Sequence, residues 1–417
     1  MKFGSLADLF HGAGAKHLTE VEVNKLRSNQ HEFQGVDDFK AFLGTPTEKQ
    51  RVAATYLWLD DADDSEAPRI DAFGTWGDRR RNKAGRSSEY RMYYPAASRP
   101  VVHQARAGDL LVIAQKKDGS LLVLLSPAGS TIGQQLLWLF GLNLLVKPSD
   151  TKLLDAGTAT SLSWAARFIL DELGIEPEEP EPDAFDRLVE EFGLKFPTTA
   201  AFSDFARASL QGCDPVGAPD DTLLAWMDHE EALFRRLERE IVAERLKSGF
   251  VDGDGADVDG FLSFSLSVQN RRKSRAGFAF GHHVEAILRA HDIRYTREAT
   301  TEKRNAADFL FPGEVEYQRA DFPEAKLHML AVKTTLKDRW RQVLAEADRI
   351  SPKHLLTLQP AISAAQTDEM RGQNLHLVVP AQLHSTFLPV QRDWLMSVVD
   401  FLQLVQNKGD IYSSPLI

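Results

Sequence analysis

Between residues 308 and 380 the chain repeats one arrangement: a short apolar run, a polar or helical stretch, then another apolar run. "DFLFP", "LHMLAVKTT", "HLLTL" and "LHLVVP" have the length of strands. "FGHHVEAILRAH" before them and "RWRQVLAEADRI" among them space apolar residues at three and four, the helical period. Elements that alternate in this way cover the faces of one sheet, so the region reads as an α/β core. Strand alternation puts Met329, Ala331 and Lys333 on one face. If the first two strands are neighbours, the Asp308 carboxylate and the Lys333 ammonium meet at one sheet edge. The helix expected next carries an apolar stripe of Trp340, Val343, Leu344, Ala347 and Ile350, with Glu346 beside it and able to lean back toward that edge.

One lysine and two carboxylates suit metal-dependent phosphodiester hydrolysis. Carboxylate oxygens hold Mg²⁺ while several waters remain on it. The metal polarises the phosphate and acidifies a bound water, and the lysine orients that water and offsets charge on phosphorus. A salt-bridge network is the more ordinary use of the same residue types.

The rest of the 417 residues is organised around this core. That length calls for two or three domains. Residues 1–150 read as mainly β, with "LLVIAQ" and "LLVLLS" forming a hairpin about Asp118-Gly119 and a helix at 131–142. Residues 151–183 read as a linker, acidic and proline-rich from 171 onward, and helices dominate from 184. Charged residues are 26% of the chain and the formal net charge is −11, which excludes a uniformly basic nucleic-acid coat but not local basic patches. The single cysteine, Cys213, excludes a disulfide framework and a thiolate metal cage, and fits a reducing, cytoplasmic setting. The apolar run at 136–146 is too short for a membrane span, which takes roughly 20 residues, and no leader pattern follows Lys2. "DGDGADVDG" lacks the spacing of a calcium loop, and His282-His283 point to different helix faces.

Taken together, "NRRKSRAG" (270–277), "DFLFP" (308–312), "MLAVKTT" (329–335), "KDRWRQ" (337–342) and "EAD" (346–348) resemble the catalytic domain of EcoRII-type restriction endonucleases. The resemblance implies a restriction-endonuclease-like fold, a mixed sheet flanked by helices, over residues 184–417. It implies Asp308 and Glu346 as ligands of Mg²⁺ and Lys333 as the water-orienting group. In this branch the acid two residues before the lysine is replaced by a glutamate thirteen residues after it; here Ala331 and Glu346 hold those places. Lys337, Asp338 and Arg339 match the triplet that reads C·G pairs in the major groove, where cations donate to guanine and a carboxylate accepts from cytosine N4. Asp338 as a helix cap is the plainer alternative. The implied target is a CCWGG-like site in double-stranded DNA, cut to leave 5′ extensions by a homodimer whose two-fold symmetry matches the site.

Two departures stand out. Gly281 occupies the place of a further family glutamate, so that either Glu285 one turn later substitutes for it or a second metal position is lost, and Ala307 replaces a proline. In "NRRKSR", Arg271, Arg272, Lys273 and Arg275 are candidates for gripping phosphates, with a solvated face as the alternative. "RRRNKAGRSSEYRMYYP" and the hairpin after it are similar to the DNA-binding pseudobarrel that precedes the nuclease in this family. Arg79, Arg80, Arg81, Lys83, Arg86 and Arg91, with Tyr90 among them, would then form an arm on DNA, or else a basic loop. The resemblance further implies that this domain binds a second site copy and restrains cleavage. Competing expectations are a DNA-binding protein with an inactive nuclease core and a phage-defence nuclease triggered by modified DNA.

Overall fold

The computed structural model describes residues 5–23, 31–61, 68–81, 85–144, 148–154, 162–177, 184–252, 255–302, 305–336 and 339–409. The chain divides into two compact units, one of residues 2–177 with 361–366, the other of 178–360 with 367–417.

The N-terminal unit is built on eight strands: β1 (Phe10–His17), β2 (Glu32–Phe33), β3 (Gln50–Trp58), β4 (Arg69–Asp78), β5 (Tyr90–Tyr93), β6 (Leu110–Lys116), β7 (Leu121–Ser126) and β8 (Ser149–Leu153), in the order β2-β5-β4-β3-β7-β6-β1-β8. Only β3 and β7 run parallel; the other neighbours are antiparallel. The β6–β7 hairpin turns where expected. Gly119 takes φ +84°, and Asp118 accepts from the Ser120 N–H at 2.8 Å. The unbroken apolar runs of β6 and β7 have a simple cause, because both their faces are covered. Val112, Ala114, Leu122 and Leu124 enter one core; Leu111, Ile113, Leu121, Val123 and Leu125 enter the other. The expected helix is α1 (Thr131–Phe140), capped by Ser130 and ended by Gly141 at φ +62°.

The linker expected at 151–183 is corrected. Residues 149–153 are a sheet strand, and α2 (Trp164–Glu172) buries Ala166, Ile169 and Leu170 in the N-terminal core. The acidic composition further on hid an amphipathic helix before it. Residues 178–183, the proline-rich remainder, lie outside the described residues.

The C-terminal unit begins with helices: α3 (Phe185–Phe192), α4 (Thr199–Ser209) and α5 (Pro219–Ser248). They share a core of Phe185, Leu188, Phe202, Phe205, Leu233, Phe234 and Leu237. A two-strand hairpin, β9 (Val251–Asp252) and β10 (Gly255–Ala256), leads into the 33-residue helix α6 (Val258–Ala290), capped by Asp257. The basic run 271–275 therefore lies within a helix, not ahead of one.

Five strands follow: β11 (Thr296–Thr300), β12 (Ala306–Phe311), β13 (His328–Val332), β14 (Lys353–Leu356) and β15 (Leu375–Val378). They stand in sequence order, the first three antiparallel and the last three parallel. Helix α6 packs Val284, Ile287 and Leu288 toward Leu330, Leu356 and Val378 of this sheet, with the C-terminal helix α7 (Val398–Gly409) contributing Phe401 and Leu402. The α/β core read from residues 308–380 is this mixed sheet with its flanking helices. Among the described residues no helix is long and apolar enough to cross a membrane.

Candidate active site

The site grows from the pairing of β12 with β13. Their register sets Phe309 opposite Leu330 and leaves Asp308 beside the end of β13, where strand hydrogen bonding passes to β14 through Lys333 N–H to Leu356 O at 3.0 Å. Asp308 Oδ2 accepts from Lys333 Nζ at 2.9 Å and from the Val332 N–H at 2.7 Å. Both side chains are only partly exposed. Ala331 is fully buried, so the emptied position holds a methyl group inside the sheet.

Glu346 reaches this edge by a route the sequence did not suggest. The helix expected from Trp340 to Ile350 is a single turn, Trp340–Val343. It stops because the chain reverses at Ala347, a non-glycine residue at φ +48°. Asn305 Nδ2 donates to Ala345 O at 2.6 Å, Ala347 N–H donates to Thr301 Oγ1 at 3.3 Å, and Asp348 N–H to Glu302 at 3.1 Å. Glu346 thus sits in a braced loop. It is 8% exposed, and its Oε2 has no hydrogen-bond partner. Burial pushes its carboxyl up to about 7; the Lys333 charge opposes that rise and the Asp308 charge adds to it. A buried carboxyl oxygen without a donor lacks a cation or a proton. Two carboxylates flanked by a lysine are a donor set that fits a hard divalent ion retaining several waters.

Glu285 does not join this group. Arg289 and Tyr295 donate to it at 2.8 and 2.9 Å, and Arg297 forms a further ion pair. Burial pushes its carboxyl up, but the Tyr295 and Arg297 hydrogen bonds outweigh that and hold it below the usual range. Among the described residues no cluster of three histidine, cysteine or acidic side chains is placed to hold a metal. The expectation that Glu285 replaces the missing glutamate is therefore corrected. A side chain at Gly281 would meet the Arg297 guanidinium at 3.1 Å, so an arginine borders the place where the family glutamate would stand.

The candidate DNA contacts divide. Lys337 and Asp338 lie outside the described residues; Arg339 is exposed directly before the short helical turn. On α6, Arg271 is exposed and lies over the Phe196 ring at 4.2 Å. Arg272 is paired with Glu238, and the side chain of Lys273 is not described. Arg275 is buried, bonded to Glu230 at 2.8 Å between the rings of Phe202 and Phe234. As a phosphate contact Arg275 is corrected, because the helix turns its side chain inward. In the N-terminal unit, Tyr90 is buried against Trp76 and Arg91 is buried between Glu32 and Glu89. Those two are buried within the N-terminal unit, and the expectation of an exposed arm is corrected for them. Arg79, Arg80 and Arg81 pair with Glu32, Glu89 and Glu48, Arg86 is exposed, and Lys83 lies outside the described residues. Missed from sequence were Arg297, Lys353 and the partners of His283. No local motif marks them, since each acts on residues distant in the chain or on backbone oxygens.

Comparison with known proteins follows the same division. Residues 234–402 match the family model described as EcoRII C terminal. The chain is similar to the type II restriction enzyme EcoRII of Escherichia coli, 39% identical over 221 residues, which are 52% of this chain and 52% of that enzyme. It thus spans about half the length of the curated relative it matches. Among solved structures, metal-depleted Ecl18kI in complex with uncleaved, modified DNA aligns with a TM-score of 0.45 and 20% identity, over 57% of this chain and 87% of that one. A PspGI–substrate DNA complex aligns with a TM-score of 0.42 and 14% identity, over 52% and 95%.

Proposed function

We propose that this chain is a type II site-specific deoxyribonuclease of the EcoRII kind, hydrolysing both strands of double-stranded DNA at a CCWGG-like site with Mg²⁺. The observation that carries the reading is the Asp308–Lys333 ion pair together with the buried Glu346, whose Oε2 has no donor and whose carboxyl feels the charges of both. Asp308 and Glu346 would hold the ion, which supplies a Lewis acid for the scissile phosphate and an acidified water. Lys333 is placed by Asp308 to orient the attacking water and to offset charge gathering on the phosphate oxygens. Ionised Glu346 is the form that serves, and the Lys333 charge favours it. Arg339, with Lys337 and Asp338 beside it in sequence, starts the segment that leads to Glu346 seven residues later, so base readout and chemistry share one short stretch of chain. The N-terminal unit is the DNA-binding effector domain, taking a second site copy and restraining cleavage until it does. Arg79, Arg80, Arg81, Lys83 and Arg86 are its remaining candidate contacts.

One experiment addresses the whole reading. Plasmids bearing one or two sites, methylated or not, are digested by the full chain and by a chain lacking residues 1–177, and the cut ends are sequenced. Site-specific 5′ extensions are expected, with faster cutting of one-site DNA by the truncated protein. Specific binding with no cleavage under any divalent metal would instead make this an inactive nuclease core, the outcome that Gly281 favours.

A duplex cut needs two copies of the site, and one chain carries one. Helix α6 presents Val258, Leu262 and Leu266, each more than half exposed, at four-residue intervals beyond an aromatic cluster of Phe250, Phe261 and Phe264. Such a stripe supports a homodimer through the C-terminal unit. Leu262→Asp with Leu266→Asp is expected to shift sedimentation from dimer to monomer; an unchanged sedimentation coefficient would remove this face from the interface.

A further inference from the structure

The loop that carries Glu346 is held in an unfavourable conformation, and one side chain is tied to the peptide groups on either side of that conformation. Ala347, at φ +48°, sits in the left-handed region that a side chain with a β-carbon disfavours. Lys353, the first residue of β14, turns back toward it. Its ammonium donates to the main-chain oxygen of Glu346 and, at 3.2 Å, to that of Ala347. The two oxygens bracket the Ala347 backbone, so one cation pins the reversal that aims Glu346.

We propose that Lys353 is the positioning residue of the metal site, fixing the Glu346 carboxylate toward the ion and lending it positive charge without occupying its oxygens. The inference rests on the reading of Asp308 and Glu346 as metal ligands. The choice of partner atoms is what sets Lys353 apart from an ordinary ion pair. A lysine bonded to the carboxylate itself would compete with the metal for the same lone pairs. Lys353 spends its hydrogen bonds on carbonyls instead, and Glu346 Oε2 is left without a donor. The Lys353 ammonium thereby keeps a positive charge beside the loop that carries Glu346. Asn305 and Thr301 also brace the loop, but both are uncharged and neither bonds a carbonyl of Glu346 or Ala347.

Mn²⁺ is the probe, followed by electron paramagnetic resonance on the full chain bound to duplex DNA. Lys353→Met is expected to weaken Mn²⁺ binding by ~10-fold or more, the usual scale for a residue that orients a metal ligand. Lys353→Arg, which keeps both charge and donors, is expected to restore most of it. Asn305→Ala, which loosens the loop without removing charge, is expected to bind Mn²⁺ more tightly than Lys353→Met does. Should the methionine variant not fold, Lys353→Gln, which keeps a donor and removes the charge, makes the same comparison. Mn²⁺ binding by Lys353→Met equal to that of the unaltered protein overturns the proposal. Asp308→Ala separates the two levels. If it too binds Mn²⁺ unchanged, the metal-ligand reading itself has failed; if it alone loses the ion, only the role of Lys353 has.

Discussion

Replacing Lys333 by alanine lowers the rate of DNA cleavage by at least ~10²–10³-fold while site-specific binding persists, the scale expected for a group that stabilises charge only as the reaction proceeds. The geometry separates these two effects. Lys333 reaches Asp308 at 2.9 Å, and its side chain is not part of either hydrophobic wall of the sheet, so its loss leaves strands β12 and β13 paired. Asp308 retains its bond from the Val332 N–H and stays at the sheet edge. On the proposed reading, what is lost is the cation beside the reacting phosphate, whose charge also favours ionised Glu346. Asp308→Ala should be at least as damaging, because it removes a proposed metal ligand and the anchor of the lysine together. Single-turnover cleavage measures the rate, and gel retardation without metal measures binding. Cleavage by Lys333→Ala within a few-fold of the unaltered protein would mean that the Asp308–Lys333 pair is an ordinary salt bridge.

Why the site was partly legible in sequence follows from what periodicity encodes. Strand alternation and apolar run length report which residues share a face, and that placed Asp308 and Lys333 together before any coordinates. The β6–β7 hairpin was legible for the same reason, with Asp118-Gly119 supplying the turn conformation. Glu346 was singled out by its place beside the apolar stripe and by what the family resemblance implies, but its setting was not legible. The stripe Trp340, Val343, Leu344, Ala347, Ile350 satisfies a helical pattern and is mostly buried, yet the backbone leaves the helix after Val343. The deciding bonds come from Thr301, Asn305 and Lys353, which no local window contains. Tertiary contacts overrode local propensity there.

The charged residues show the opposite limit. A run of basic letters says nothing about which of them point inward. Arg271 and Arg275 stand four residues apart on one side of a helix, yet Arg271 is exposed and Arg275 is buried, because Glu230 and the rings of Phe202 and Phe234 enclose the second. In β5 Tyr90, Arg91 and Met92 are all buried, and Arg91 is enclosed with Glu32 and Glu89. Glu32 and Glu230 lie far from these arginines in sequence, which is why composition suggested a nucleic-acid surface where the fold has internal ion pairs.

Glu230→Ala is expected to destabilise the C-terminal unit by about 3–5 kcal/mol, because it strands a buried guanidinium. Glu230 lies on α5 and is 2% exposed. Its Oε1 accepts from Arg275 at 2.8 Å, and its Oε2 lies 3.0 Å from His283 Nε2. Arg207 approaches the other ring nitrogen of His283 at 3.0 Å and can only donate, so the ring proton belongs on Nε2, facing Glu230. Burial pushes His283 below the usual histidine range despite the nearby carboxylate, which keeps the ring neutral, whereas Glu230 is held ionised by His283 and Arg275 against its own burial. The cluster thus has one anion serving Arg275 and an imidazole, and alanine removes the element that neutralises it. Calorimetry should show the unit's transition falling by roughly 6–20 °C, using ~2–4 °C per kcal/mol for a domain of this size. A paired replacement decides whether the loss comes from the stranded charge or from the cavity. Glu230→Met with Arg275→Met fills the space with apolar atoms and leaves no ion behind, so it should recover most of the lost midpoint. If the double variant melts as low as Glu230→Ala, the packing at α5 and α6, not the uncompensated guanidinium, sets the cost.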